Sequence, residues 1–453
     1  MKMSKKITRR ESLKLLGFGA GAVALAACAA PPASAPAAQA PAATTAPAAE
    51  ATAAPAASGG TNQLEIFSWW TSGGEVEALN ALYDIYKKKY PEVEIVNAAL
   101  AGGTGQGGNM KAVLETRMIG GDPPDSFQVH LGQELLGSHV KAGRMEDLSE
   151  LFKSEGWMEV FPKGLIELAS SEGKPYSVPV NIHRSNVMWY NTTHLKDAGL
   201  EKPPATWDEW FTYAETLKGK GIGALAVAGA DPNFSAHVFE SILLAKLGSD
   251  KYLGLFNGKT AWDSAEVKAA METLLKSHEY AQEGYASVAW GDINEVMTSG
   301  KASTMIMGDW THGLFKSSGF KDYGWAASPD TDGVFMALSD SFGLPNGVKH
   351  RDNVMNWLKV CGSKEGQDAF NPLKGSIPAR NDADLSKYDD YGKQTIEAFK
   401  TNTIVGSIQH GAAAPQGFVN DYDAAVSTLL ASKDVEGTAK QLVEAAKTAG
   451  MVM

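Results

Sequence analysis

The reading of the fold turns on Leu64-Glu65-Ile66-Phe67-Ser68 and on the segment 75–90 that follows it. The first alternates apolar and polar side chains, the period of a strand with one buried face. In the second, Val76, Leu79, Leu82, Tyr83 and Tyr86 recur at helical spacing until Pro91 stops the run. The β-α pattern then repeats, with a strand over 93–96, a helix over 109–119 and a strand Ser126-Phe127-Gln128-Val129-His130 entered through Gly120-Gly121-Asp122-Pro123-Pro124-Asp125. Helices over 207–218, with Thr206 as N-cap, over 265–281 and over 293–299, and a strand over 303–307, continue it. Strands alternating with helices predict an α/β fold with a mainly parallel sheet, in which ligands sit beyond the carboxyl ends of the strands.

Upstream the composition changes twice. Lys2, Lys5, Lys6, Arg9, Arg10 and Lys14 precede an uncharged run that ends in small residues, so 1–27 reads as an export signal, too short in its apolar part to span a bilayer. Thr8-Arg9-Arg10-Glu11-Ser12-Leu13-Lys14 resembles the twin-arginine signal, with the general secretory route as the alternative. Leu25-Ala26-Ala27-Cys28 resembles a bacterial lipobox, which implies cleavage before Cys28 and a lipid on its thiol. The stretch 28–61 is almost wholly Ala, Pro, Ser and Thr, lacks aromatic residues and is expected to be a disordered tether. The expected product is an exported protein, lipid-anchored at the outer face of the cell membrane or in the periplasm.

Charge and cysteine usage narrow the class further. Removing the signal leaves 35 basic and 51 acidic residues, a balance that argues against nucleic acid or an anionic lipid surface as a partner. Cys361 is the only cysteine besides Cys28, so the mature chain has no disulfide despite its exported context. Its position in an apolar segment makes it a small buried residue. About 390 residues follow the tether, more than one core normally supports, and two lobes are expected.

The chemistry-bearing residues point to binding rather than turnover. Trp69 and Trp70 follow the first strand, where alternation would leave at most one of them pointing inward; Gln128 and His130 share one face at the end of the third. The histidines are scattered without metal-ligand spacing, so no metal and no cofactor are expected. The glycines of 102–108 lack the Gly-Lys-Ser/Thr of a phosphate loop, and no carboxylate pair stands out for glycoside hydrolysis.

Longer motifs are more specific. The run Leu64-Glu65-Ile66-Phe67-Ser68-Trp69-Trp70, the segment from Gly120 through His130, and Val178-Pro179-Val180-Asn181-Ile182-His183-Arg184-Ser185-Asn186 resemble the family 1 extracellular solute-binding proteins of ABC transporters. So do Met307-Gly308-Asp309-Trp310, Ser339-Asp340-Ser341-Phe342-Gly343-Leu344-Pro345, Asn371-Pro372-Leu373-Lys374-Gly375-Ser376 and Gln409-His410-Gly411-Ala412; the pattern is closest to bacterial glucose- and hexose-binding members. The resemblance implies a two-lobed periplasmic-binding-protein-like fold, with a ligand cleft between lobes joined by crossover strands. On this reading lobe 1 is 62–179 with 329–370, and lobe 2 is 180–328 with 371–453. Hinges are expected near 178–181 and 328–331.

What the resemblance implies for function is capture of a small sugar, glucose or a related hexose, by a monomeric receptor that delivers it to the permease of an ABC importer. A sugar-sensing receptor is the alternative, and a secreted glycoside hydrolase a more remote one. Carried over by motif, Trp70 and Trp290 would sandwich the sugar ring, while His130, Asp340, Lys374 and His410 would bind its hydroxyls, with Gln128, Glu75 and Trp310 in support. Asp340 would accept two hydroxyl protons and Lys374 would donate.

Overall fold

The computed structural model of the chain describes residues 62–100 and 108–451. The export signal, Cys28, the tether and the glycines at 102–107 lie outside the described residues. The elements that place the site are, in chain order, β1 (Gln63–Phe67), α1 (Gly73–Lys89), β2 (Glu94–Asn97), α2 (Gly108–Gly120), β3 (Ser126–His130), β4 (Ser177–Pro179), β5 (His183–Arg184), β6 (Val187–Asn191), α3 (Trp207–Lys218), β7 (Gly223–Leu225), α4 (Pro232–Gly254), α5 (Ala265–His278), α6 (Ile293–Thr298), β8 (Ala302–Ile306), α7 (Trp310–Ser318), β9 (Tyr323–Ala327), β10 (Val334–Leu338), β11 (Asp340–Gly343), α8 (Arg351–Gly362), α9 (Lys364–Lys374), β12 (Thr403–Gly406), α10 (Gln416–Ser432) and α11 (Val435–Thr448). The strands and helices expected from periodicity fall within a few residues of these bounds. Thr206 caps α3, its side chain accepting from Glu209 N.

Two separate hydrophobic cores make the chain two-lobed. The first gathers Leu64, Ile66, Leu79, Leu82, Phe127 and Val178 with Phe342, Trp357 and Phe370; the second gathers Trp189, Trp207, Trp210, Phe239, Met305, Phe315 and Tyr422. Each large side chain sealed this way contributes about 1.5–3 kcal/mol. Cys361 is wholly buried in the first core and unpaired, and burial pushes its thiol pKa well up.

The sheets correct the expectation of a mainly parallel arrangement. In the first lobe β2, β1 and β3 run parallel, but β11 lies antiparallel between β3 and β4, giving the order β2-β1-β3-β11-β4. In the second, with order β9-β6-β8-β7, only β8 and β7 are parallel. The physical reason lies in connectivity: β11 follows directly on β10 rather than on a crossover helix, so nothing obliges it to run with β3.

A third sheet, β12-β10-β5, joins the lobes. Core membership changes between Ile182 and Val187, within 334–342, and between Ile396 and Val405, so the chain crosses three times, once at each strand of this sheet. Strand β10 shows how one strand serves both lobes: Phe335 and Ala337 pack on the first core, while Val334, Met336 and Leu338 pack on the second, the period of two sending alternate side chains to opposite sides. Where α7 meets α9 the backbones approach so closely that a Cβ on Gly313 would stand 2.7 Å from the carbonyl oxygen of Lys374.

Candidate functional site

Register brings the polar residues of the first lobe together. In the antiparallel ladder of β3 with β11, Asp340 lies opposite His130 and Phe342 opposite Gln128, so residues more than two hundred positions apart share a face. Gln128 Nε2 donates to Asp340 Oδ1 at 2.8 Å, and His130 Nε2 stands 3.7 Å from the same oxygen. The crossover segment supplies the rest: Asn181 Nδ2 donates to Asp340 Oδ2 at 2.8 Å, Asn181 Oδ1 accepts from Asp340 N, and His183 Nε2 lies 3.3 Å from Oδ2. A carboxylate has about four acceptor positions. With Gln128, Asn181 and His183 holding three, Asp340 retains room for about one further donor.

Charge around Asp340 is arranged in alternation. Burial pushes its carboxyl up, yet the His183 hydrogen bond and the charges of Lys374 and His130 outweigh this and hold it well below the usual carboxylate range. His183 reaches Asp309 through Nδ1, and Asp309 also accepts from Arg184 N, which ties the second lobe's α7 to the crossover. Burial works against a charge on His183, but Asp309 raises its pKa above the ordinary value. On the far side of His130, Nδ1 meets Glu134 Oε2 at 2.8 Å and Lys111 Nζ meets the same atom at 2.8 Å. Burial opposes ionisation of Glu134, but Lys111 and His130 bring its pKa down to about 2.

The aromatic walls come from both lobes. Trp310, at the start of α7, has its ring 4.9 Å from that of His410 and 5.4 Å from that of His183. Lys374, ending α9, pairs with Glu75 at 2.9 Å and holds its Nζ 5.6 Å from the Trp70 ring and 5.9 Å from the Trp310 ring. Both tryptophans after β1 are buried, because the strand ends at Phe67 and its alternation does not extend to them. Trp70 packs on Phe342 and Phe370, whereas Trp69 lies against His130, with Lys111 above its ring.

His410 follows β12 and rests on a buried polar cluster. Its Nδ1 meets Ser407 Oγ at 2.8 Å, and that hydroxyl also reaches both oxygens of Glu240, at 3.0 and 2.9 Å. Glu240 further accepts from Ser185 Oγ and Gln409 N. Burial brings its pKa up to about 7 and that of neighbouring His237 down to about 4, and burial with the nearby histidines takes His410 well below its ordinary value. His237, Glu240 and His410 form the one group among the described residues spaced to hold a metal ion, but Glu240 already accepts from three partners that an ion would displace.

Of the nine residues singled out from sequence, Trp70, Gln128, His130, Asp340, Lys374, Glu75, Trp310 and His410 are linked in this network. Trp290 stands elsewhere: its backbone N–H donates to Asp231, and its half-buried ring lies 6.4 Å from Phe234. Sequence reasoning weighed Trp69 beside Trp70 but carried only Trp70 forward, and it passed over Asn181, His183, Glu134, Lys111, Glu240 and Asp309. Two of these had a local signal, since Glu134 is four residues from His130 and Glu240 three from His237 on one helix face.

Comparison with known proteins agrees with this architecture. The family model described as bacterial extracellular solute-binding protein matches residues 39–368. An uncharacterised ABC transporter extracellular-binding protein of Pyrococcus horikoshii is 36% identical over 391 residues, covering 85% of this chain and 87% of its own. A probable sugar-binding periplasmic protein of Brucella suis is 32% identical over 399 residues, covering 85% and 92%. Among solved structures, the bacterial solute receptor AcbH superposes with a TM-score of 0.76 at 17% identity, covering 86% of this chain and 99% of its own, a likeness of fold. The chain thus belongs to the bacterial extracellular solute-binding proteins, a family of binding proteins rather than enzymes.

Proposed function

We propose that this protein captures a small carbohydrate, glucose or a related hexose, outside the cell membrane and delivers it to the permease of an ABC importer, held at the membrane by a lipid on Cys28. The observation that carries the ligand class is the convergence, from both lobes, of buried hydrogen-bonding side chains with indole rings. A sugar offers hydroxyls around its rim and CH groups on its faces, and this lining answers both. The Brucella relative is named as sugar-binding, and AcbH is described as exclusive for β-D-galactopyranose. Acceptance by Asp340, donation by Lys374 and the imidazoles of His130 and His410 would select hydroxyl orientation, because a buried partner left unpaired costs about 1–3 kcal/mol.

On this reading the expected lobes, 62–179 with 329–370 and 180–328 with 371–453, shift at the third crossing, because Ile377, Tyr388 and Ile396 pack on the first core, and the receptor is a monomer that closes about the three crossover strands on binding. Trp290 enters the proposal through its family motif, from a position off the hydrogen-bonded network.

The experiment is calorimetry and thermal shift on residues 62–453 against D-glucose, D-galactose, D-mannose, D-xylose and common disaccharides. Saturable binding of one sugar, with stabilisation following RT ln(1 + [L]/Kd) and no hydrolysis, is expected. Absence of binding across the panel, or consumption of the sugar, refutes the proposal.

A further inference from the structure

Between Glu240 and His410 stands one hydroxyl, Ser407 Oγ, with a single proton to give. It lies 2.9 Å from Glu240 Oε2 and 2.8 Å from His410 Nδ1, so it can donate to only one of them at a time. When Glu240 is ionised, both of its oxygens are acceptors and Ser407 donates to it. The serine oxygen then accepts the proton of His410 Nδ1, and His410 Nε2 is left with a bare lone pair. When Glu240 gains a proton, its own O–H can donate to Ser407 Oγ. The step is a relay: solvent delivers a proton to His410 Nε2, Nδ1 passes its own to Ser407 Oγ and the serine passes one to Glu240, which leaves Nδ1 as acceptor of the serine O–H and Nε2 as donor.

We propose that Glu240, acting through Ser407, sets whether His410 offers its ligand an acceptor or a donor, so that a buried acid outside the ligand shell governs hydrogen-bond polarity inside it. This rests on the reading of His410 as a ligand contact. Glu240 is a positioning residue here, since the side chains it touches are Ser185 and Ser407 rather than the ligand.

The surroundings let the proton come and go near neutrality. Glu240 is wholly buried on α4, with no cation in contact among the described residues, and burial brings its carboxyl up to about 7. The titratable groups facing it are His237 on the same helix, whose Nδ1 lies 3.6 Å away without a hydrogen-bond partner, His410, and the phenols of Tyr252 and Tyr422. His237 donates through Nε2 to the carbonyl of Ser185, which leaves Nδ1 as a second acceptor for a proton on Glu240. Burial, with the neighbouring His237, His130, Lys111 and His183, takes His410 well below its ordinary value and keeps it neutral, so that its change is one of tautomer rather than charge.

An ionised Glu240 completes a chain running from ligand hydroxyl to His410, Ser407 and carboxylate, and hydrogen bonds that end in a charge are the stronger ones. Sugar affinity is therefore expected to rise threefold to tenfold between pH 5.5 and 8.5 with a midpoint near 7. The test uses the full chain, with the best-binding sugar among D-glucose, D-galactose and D-xylose as probe. The carbon and nitrogen shifts of the His410 ring, followed by NMR without sugar, should pass from the Nε2–H to the Nδ1–H form as pH rises. In Glu240→Gln and in the milder Ser407→Ala, the tautomer should stop responding to pH and the affinity profile should flatten. One tautomer throughout in the wild type, or a pH profile unchanged in Ser407→Ala, overturns the proposal. Because the ring shifts are read without ligand, a failure of the relay is distinguishable from a failure to bind sugar.

Discussion

Glu134 gives the most direct test of the electrostatics that hold His130 in place. Its side chain is 7% exposed and bonded to both Lys111 and His130, and its pKa falls from 4.5 to about 2. At 1.36 kcal/mol per pH unit, that difference corresponds to roughly 3 kcal/mol of stability at pH 7. The sign follows from the direction: a carboxyl depressed in the folded state stabilises above its unfolded pKa, and the contribution is lost as pH falls from about 5 toward 2. Urea unfolding of the wild type and Glu134→Gln, read by tryptophan fluorescence, should therefore show the variant less stable by about 3 kcal/mol at pH 7, with the gap narrowing by about 2 kcal/mol at pH 3. A gap that is the same at both pH values, or no gap at pH 7, refutes the reasoning.

Four other outcomes are expected, three from the geometry and one from the lipobox. Trp70→Ala should cost about 3–5 kcal/mol of stability, measured by urea unfolding, because its ring packs into the first core against Phe342 and Phe370; Trp69→Ala should instead lose sugar affinity by roughly tenfold or more in calorimetry, about 1.4 kcal/mol. Gly313→Ala should leave both cores folded by circular dichroism while weakening sugar binding, since its Cβ would press on backbone carbonyls of Leu373 and Lys374, 2.8 and 2.7 Å away, where α7 meets α9. Cys28→Ser should release the protein from the membrane fraction into the soluble fraction on cell fractionation, and its retention there would refute lipid anchoring.

Much of the fold was legible because periodicity is local. Leu64 to Phe67 alternates, Leu79, Leu82 and Tyr86 repeat at helical spacing, and Thr206 announces the start of α3. The direction of β11 was not legible, because antiparallel pairing of Asp340 with His130 depends on how the chain returns through β10. The same holds for the site. His130, Asp340, Lys374 and His410 came from long motifs, but Asn181, His183 and Asp309 act through partners distant in sequence. No spacing rule joins Asn181 to Asp340. Trp69 and Trp70 show the limit of alternation, which ceases to order side chains once the strand ends at Phe67.

The single thiol in the first core has a practical side. Cys361 is fully enclosed and its pKa is pushed far up, so at neutral pH it presents almost no thiolate to an alkylating reagent. Once Cys28 is replaced, a cysteine introduced on the surface of either lobe would be the only one to react. A pair of dyes, one on each lobe, could then report the approach of the two halves in real time with Cys361 left in place. A receptor built this way would read out sugar concentration directly as a change in energy transfer.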